Sequence, residues 1–400
     1  ILNDKKELQN LIKTELAEIK KKFAVPRRTK LVGAVENVDV EDVIQEEKVI
    51  VTVTNKGYIK RTPLTSIRAQ KRGGKGKTGI VTREEDFVSQ LFPVSTLTPV
   101  LFFSSKGIVY RLKAWKIPEG SNTSKGKALA NIFPIKADAQ ISSILPLPYD
   151  ESTWKDNFLI FVTANGKIRK NSILDFENIQ ANGKIAMKLE KDDKIVSVKI
   201  VKKNDDVMLN TYSGKSLRIN ASKIRIFKGR SSKGIKGINL KNNDKVISLT
   251  VLNHVETTSE ETKAYIKRTR KDDLENTDDT NFEISTKKYE ELKLREEFIL
   301  TITENGYGKR SSSYEFRESG RGGQGIINII SSERNGNIAA SYSVKNDDDI
   351  MLITNKGQMI RCAVSDIRIT GRNTQGVRIF KVEKDEKVVS SVCLTDSVAD

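Results

Sequence analysis

An all-β chain of six repeated, propeller-like blades, preceded by one short α-helix, is the architecture that this sequence predicts. Two observations carry it. Short β-branched and apolar runs enter a tight turn that ends in glycine, and a cation follows a few residues later. This happens at 49–57, 100–107, 158–166, 207–214, 298–306 and 350–357. A second glycine then follows at a nearly fixed distance. Gly57, Gly107, Gly306 and Gly357 are each followed 19 residues later by Gly76, Gly126, Gly325 and Gly376. Gly166 pairs with Gly183 and Gly214 with Gly234, at 17 and 20 residues. Copies that recur at roughly 50 residues match an array of four-stranded blades.

Taken in order, residues 1–23 are a helix. Asp4 can cap it with Glu7 three positions on, and Leu8, Leu11, Ile12, Leu16, Ile19 and Phe23 fall on one face. Such a helix either packs on a core or ends a longer coiled coil. The abrupt stop at Pro26-Arg27-Arg28 favours the second. Residues 24–45 are a linker and lead-in strand, and the blades span about 46–96, 97–154, 155–204, 205–252, 295–346 and 347–400. Turns such as Thr54-Asn55-Lys56-Gly57 suit a hairpin whose last residue is left-handed, so each copy is a hairpin with a cation on its outgoing strand. Between the fourth and fifth copies lies a charged insertion, 253–294, slightly acidic by count. Beyond a short helix near 264–274, its composition reads as solvated or disordered surface. The sharper alternative is an acidic element that competes with a polyanion for the basic surface.

Charge limits the partners. With 70 Lys and Arg against 52 Asp and Glu, the chain carries a formal +18, which points to nucleic acid first and an anionic membrane surface second. No apolar run approaches the roughly 20 residues that span a bilayer, and no stretch reads as a signal peptide. The chain begins at Ile1, as a fragment of a longer protein would. Cys362 and Cys393 are too far apart in sequence for a C-x-x-C site, so neither a zinc site nor a disulfide framework is supported, and a cytoplasmic setting fits best. His254 is the only histidine, which removes histidine triads and multi-histidine metal sites; a surface position is expected for it. The carboxylates fall mainly in turns, such as Asp347-Asp348-Asp349, and no catalytic or metal-binding set emerges.

The most basic stretch is Gln70-Lys71-Arg72-Gly73-Gly74-Lys75-Gly76, followed by Lys77 and Thr78. A phosphate loop needs glycine five positions before its Gly-Lys-Thr, and Lys71 stands there instead. RGG-type clusters occur only around Arg72 and Arg321, and aromatic content of 6% is low for base stacking, so RNA binding is the lesser reading. A duplex-backbone surface explains more. Its candidate contacts are the stretch from Gln70 to Lys77 and the loop cations Lys125, Lys127, Lys184, Arg230, Lys233, Lys236, Arg321, Arg372 and Arg378. The hairpin cations Lys60, Arg61, Arg111, Arg169, Arg218, Arg310 and Arg361 complete the set. Arranged around an axis, they would form a curved basic band that holds bent DNA through its phosphates.

These residues resemble the C-terminal domain of the bacterial DNA gyrase A protein over essentially the whole chain. Gln70–Gly76 is similar to the gyrase box, with Lys71 where the usual heptapeptide has Arg; charge is kept and the guanidinium fork is lost. Tyr58-Ile59-Lys60-Arg61-Thr62 and Gly371-Arg372-Asn373-Thr374-Gln375-Gly376 resemble further stretches of that domain. The resemblance implies a six-bladed β-pinwheel that wraps double-stranded DNA. It also implies partnership with the N-terminal region of the gyrase A protein and with the ATPase protein of gyrase, as A2B2. ATP and Mg2+ would act on those other regions, so this chain is expected to hold no cofactor and no catalytic residue. The homologous domain of topoisomerase IV, and a propeller that binds proteins, are the alternatives. Replacing Arg72 and Lys75 with Ala should reduce DNA bending without lowering the melting temperature; unchanged topology in a ligase-closure assay would contradict this.

Overall fold

The computed structural model describes residues 4–25, 29, 43–54, 56–64, 88–121, 124–136, 139–148, 150–180, 182–241, 243–272, 284–356, 358–383 and 385–394. The chain forms two compact units, 1–44 and 45–400.

In the first unit, α1 (Lys5–Phe23) begins where Asp4 accepts the backbone N–H of Lys6 at 2.8 Å, and three lysines in its last turn suit the helix dipole. None of its residues is buried, and Leu8, Leu11, Ile12, Leu16, Ile19 and Phe23 are all exposed. Among the described residues, no helix is long and apolar enough to cross a membrane.

The second unit is six small antiparallel sheets in a ring, a six-bladed β-propeller arrangement. The inner strands Ile141–Pro146, Ile195–Lys202, Val246–Leu252, Ile338–Val344 and Val388–Leu394 pack in succession, and the last meets Val88–Ser95 of the first blade. The hairpins of the first five blades share one closure. A Ser or Thr ends the first strand, its carbonyl accepts the turn glycine's N–H, and the ladder shifts register at that point. In the first blade Gly57 N–H donates to the Thr54 carbonyl at 3.0 Å while the Thr54 hydroxyl accepts Tyr58 N–H at 3.1 Å. Gly57 has φ +80°, the left-handed geometry expected of a glycine-ended hairpin.

The first five blades are not closed stretches of chain. The outer strand of each of the first five sheets is donated by the blade that follows. Lys127–Ala128 pairs with Tyr58–Pro63, and Lys184–Ile185 pairs with Ile108–Lys113. Ile235–Lys236, Ile326–Ile327 and Val377–Arg378 do the same for the next three blades. In blades two to six the second glycine of the repeat makes this crossing possible. A Cβ on Gly126 would sit 2.5 Å from the Ile59 carbonyl oxygen, and its φ is +83°. Spacing between the two glycines is therefore the reach from one blade's turn to its neighbour's edge.

Apolar clusters fill four of the seams. Phe103, Phe161, Phe176 and Trp154 anchor the seam between blades two and three, with Phe103 and Phe161 edge-to-face at 5.3 Å. The seam between blades four and five differs. Its buried apolar cluster is Met208, Leu252, Ile299 and Phe316, with a polar network beside it. Asn210 donates to Ser248 and Thr250 at 3.0 and 3.1 Å and accepts from Ser216 at 2.7 Å. Ser248 donates to the Ser341 carbonyl across the seam at 2.8 Å.

The described parts of the insertion, 253–272 and 284–294, lie at this seam and correct the expectation of a solvated segment there; residues 273–283 lie outside the described residues. Two helices form, α2 (Ser259–Asp272) and α3 (Thr286–Leu294). Tyr265, Tyr289 and Leu292 are buried with Val255 and Ile284 of the insertion and with Tyr314 of the fifth blade. Tyr265 donates to Glu296 at 2.8 Å and Tyr314 to the Leu292 carbonyl at 2.9 Å, while burial pushes both phenols upward in pKa. Two tyrosines and a leucine among many charges were enough for a small core, which a compositional reading averages away. Replacing Tyr265 with Ala should speed amide hydrogen exchange in α2 and α3 while the six sheets keep their protection; loss of protection throughout would show the ring itself depends on this cluster.

Candidate nucleic-acid interface

Four residues past each turn glycine the outgoing strand carries a cation: Arg61, Arg111, Lys170, Arg218, Arg310 and Arg361. The first five reach into the next blade, to carbonyls in or just after its short 3-10 helix. Arg61 Nε donates to Ile117 at 2.9 Å, and Arg111 donates to the Glu177 carbonyl. Lys170 donates to Ala221, Arg218 Nη1 to Ser313 at 2.9 Å, and Arg310 Nε to Ile367 at 2.6 Å. Carbonyls at short helices carry partial negative charge, and these cations add charge-assisted bonds to them, at Ala221 and Ser313 beside the bond from the helix's own backbone N–H.

One residue earlier, odd-numbered blades carry another cation. Lys60 Nζ donates to the Ser121 and Ser124 carbonyls at 2.8 and 2.9 Å, and Lys309 Nζ to Gly371 and Arg372 at 2.8 and 2.6 Å. Arg169 donates to Arg230, Ser232 and Gly229 carbonyls. Even-numbered blades place Tyr110, Leu217 and Ile360 there. Burial pushes Lys309 down to about 7 and Arg169 down to about 10, partly opposed by the nearby Glu315 and Asp175 respectively.

The hairpin cations therefore are not an outward-facing band. Lys60, Arg169, Arg218 and Arg310 are buried, with at most 8% exposure, too little for a phosphate to reach them. Arg61 is half-buried and also paired with Glu119 at 3.0 Å, and Arg111 is half-buried. Arg361 alone of the set is exposed, held by Asp349. In odd-numbered blades both strand faces are consumed. Over the five seams these partner carbonyls arrive from 51 to 95 residues downstream, which hairpin periodicity does not reveal.

The loop cations behave differently. Lys125, Lys127, Lys233, Lys236, Arg321 and Arg378 are exposed; Lys125 Nζ lies 3.9 Å from the Tyr58 ring centroid and Arg378 donates to the Tyr307 hydroxyl at 2.9 Å. Lys184, Arg230 and Arg372 are half-buried. Arg372 Nη1 donates to the Ile327 carbonyl at 3.1 Å, and a buried Arg230 Nη1 has no hydrogen-bond partner. The same loops present Arg225, Lys228, Arg317 and Arg368 as exposed cations that spacing from the second glycine did not single out. The stretch from Gln70 to Lys77 lies outside the described residues.

His254 is not the surface residue expected. It is half-buried, with Nδ1 at 3.1 Å from Asp206. Asp206 is fully buried and also bonded by Arg218 at 2.6 and 2.9 Å and by Asn220 at 2.9 Å. Glu318 lies close by, but the Asp206 carboxylate is already saturated and held by a guanidinium, a poor donor set for a cation.

Fold and site together define a propeller with exchanged outer strands and a cation-rich set of loops on successive blades. The chain belongs to the family described as the DNA gyrase C-terminal domain, beta-propeller, whose profile matches residues 48–95, 98–148, 157–202, 205–253, 297–339 and 348–394. It is 44% identical over 407 residues to the DNA gyrase A protein of Rickettsia bellii (strain RML369-C), covering 100% of this chain and 45% of that protein. To the DNA gyrase A protein of Staphylococcus aureus (strain COL) it is 37% identical over 393 residues, 98% of this chain and 40% of that protein. The chain thus spans under half the length of these relatives. Among solved structures, a DNA topoisomerase IV C-terminal domain superposes with TM-score 0.64 at 24% identity, over 88% of this chain and 94% of the other. A DNA gyrase A C-terminal domain gives 0.62 at 21%, over 87% and 100%. At those identities the two structures speak for the fold.

Inward and outward cations should separate experimentally. Arg310→Ala should cost roughly 3 kcal/mol in denaturant unfolding, from lost charge-assisted bonds and stranded carbonyls. Lys233→Ala with Lys236→Ala should leave stability within about 0.5 kcal/mol. That pair should make the log K against log salt slope for duplex DNA shallower by about 2.

Proposed function

We propose that this chain binds double-stranded DNA through its loop cations and bends it around the ring, as the wrapping domain of a gyrase A protein. The observation that carries the reading is the division of the cations. Those on the hairpins, Arg361 apart, are spent between blades, whereas the exchanged loops of the second, fourth, fifth and sixth blades each carry exposed cations. Exposed cations at equivalent positions on successive blades suit a regular phosphate backbone and need no base contact. Bending costs on the order of 1–6 kcal/mol per 20–30 base-pair site, which several neutralised phosphates per site offset.

In the complete enzyme, the wrap would present a neighbouring DNA segment for strand passage, so that ATP hydrolysis introduces negative supercoils. That chemistry belongs to the N-terminal region of the gyrase A protein and to the ATPase protein of gyrase, in an A2B2 assembly in the cytoplasm, with ATP and Mg2+ bound there. Sequence relatives favour gyrase over topoisomerase IV, since those compared at 37–44% identity are gyrase A proteins.

With about ten phosphates engaged, log K should fall with log salt at a slope near −9, and ligase closure of relaxed plasmid should trap altered topology. A flat salt response without bending would sink the reading and favour a protein-binding scaffold.

A further inference from the structure

The insertion forms one wall of a groove of about 1250 Å3, and the rest of its lining comes from the fourth, fifth and sixth blades. α2 packs on the 3-10 helix Ser313–Glu315, so it runs beside the fifth blade's exchanged loop. Its buried side, Ala264 and Tyr265, is committed to the blade. Lys263 and Lys267, one turn apart on the same face, are exposed and line the groove opposite Arg317 and Arg372.

Charge in the groove is unbalanced. Most of its carboxylates are engaged: Asp206 by Arg218, Glu318 by Lys223 at 2.5 Å, and Glu315 by the Arg372 backbone N–H at 2.8 Å. Glu256 is exposed. Among the described residues, Lys263, Lys267 and Arg317 have no ion-pair partner. Two walls that each contribute unpaired cations to one cleft focus a positive potential there. The cleft is also continuous with the proposed DNA path, because Arg317 and Arg372 belong to the loops of the fifth and sixth blades.

We propose that this groove is an additional DNA site, in which Lys263 and Lys267 of the insertion contact the sugar–phosphate backbone of the duplex carried by the neighbouring loops. The proposal rests on the DNA-bending reading above and deepens it: the insertion extends the basic surface, opposite to the competing acidic element that its composition allows.

The test uses the 400-residue chain. Binding of a linear duplex is measured against salt for wild type, for Lys263→Glu with Lys267→Glu, and for a charge-matched control, Lys155→Glu with Lys287→Glu, whose lysines lie outside the groove. A second groove variant, Lys263→Gln with Lys267→Gln, removes charge without reversal, and thermal melting checks that each variant is folded. Loss of both contacts makes the slope shallower by about 2 in the groove variants and not in the control, and it removes hydroxyl-radical protection from one segment of the footprint. A steep wild-type slope with groove variants that match the control overturns the groove and leaves the bending reading standing. A flat wild-type slope overturns both.

Discussion

A cation reaching from one blade's hairpin into the carbonyls of the next blade is the interaction on which the rest of the ring depends. Each four-stranded sheet borrows its outer strand from its successor, so every seam must hold a stretch of irregular chain against a folded edge. Loops of that kind carry unpaired carbonyls, and solvent cannot reach them once the blades meet. Arg218 donates from Nη1 to the Ser313 and Phe316 carbonyls and Arg310 from Nε and Nη2 to those of Ile367 and Ser365, and Lys60, Arg169 and Lys309 do the same for the loop that follows. Desolvating these cations is expensive, as the downward shifts of Lys309 and Arg169 record, and the carbonyl bonds offset that cost. Buried cations in a strongly basic protein are thus part of its architecture.

The same constraint makes the fourth seam distinct. Where other seams interlock aromatic and aliphatic side chains, this one relies on Asn210, Ser248, Thr250 and Ser341, with Arg218 and His254 converging on Asp206 nearby. A polar seam is held by geometry more than by buried area, since every member must keep its partner. The insertion stands at that seam and adds its own aromatic cluster against Tyr314, which supplements the small apolar contact of Met208 and Phe316.

Exchange of outer strands also fixes what faces outward. Because the loop that leads to each donated strand crosses the seam, its cations emerge at successive blade boundaries. Lys125 and Lys127, Lys233 and Lys236, Arg321, and Arg378 all sit on such crossings and are exposed. Regularity of that surface is inherited from the regularity of the fold, which is why it suits the repeating phosphate backbone of the proposed ligand.

Much of this was legible in the sequence. Glycine pairs separated by 17 to 20 residues, the first of each ending a tight turn, specified hairpins, their number and their repetition, because turn geometry is local. Asp4 and the stripe from Leu8 to Phe23 specified α1 for the same reason. The direction in which a cation points was not legible. Arg218 and Lys233 are alike as letters, yet one is sealed against Asp206 and the Ser313 carbonyl while the other meets solvent. Nor did composition disclose that Tyr265, Tyr289 and Leu292 would find Tyr314 and order the insertion. Local chemistry determined the repeat, the turns and the net charge. Tertiary structure alone decided which charges are spent inside the ring, because their carbonyl partners are brought near only when one blade closes on the next.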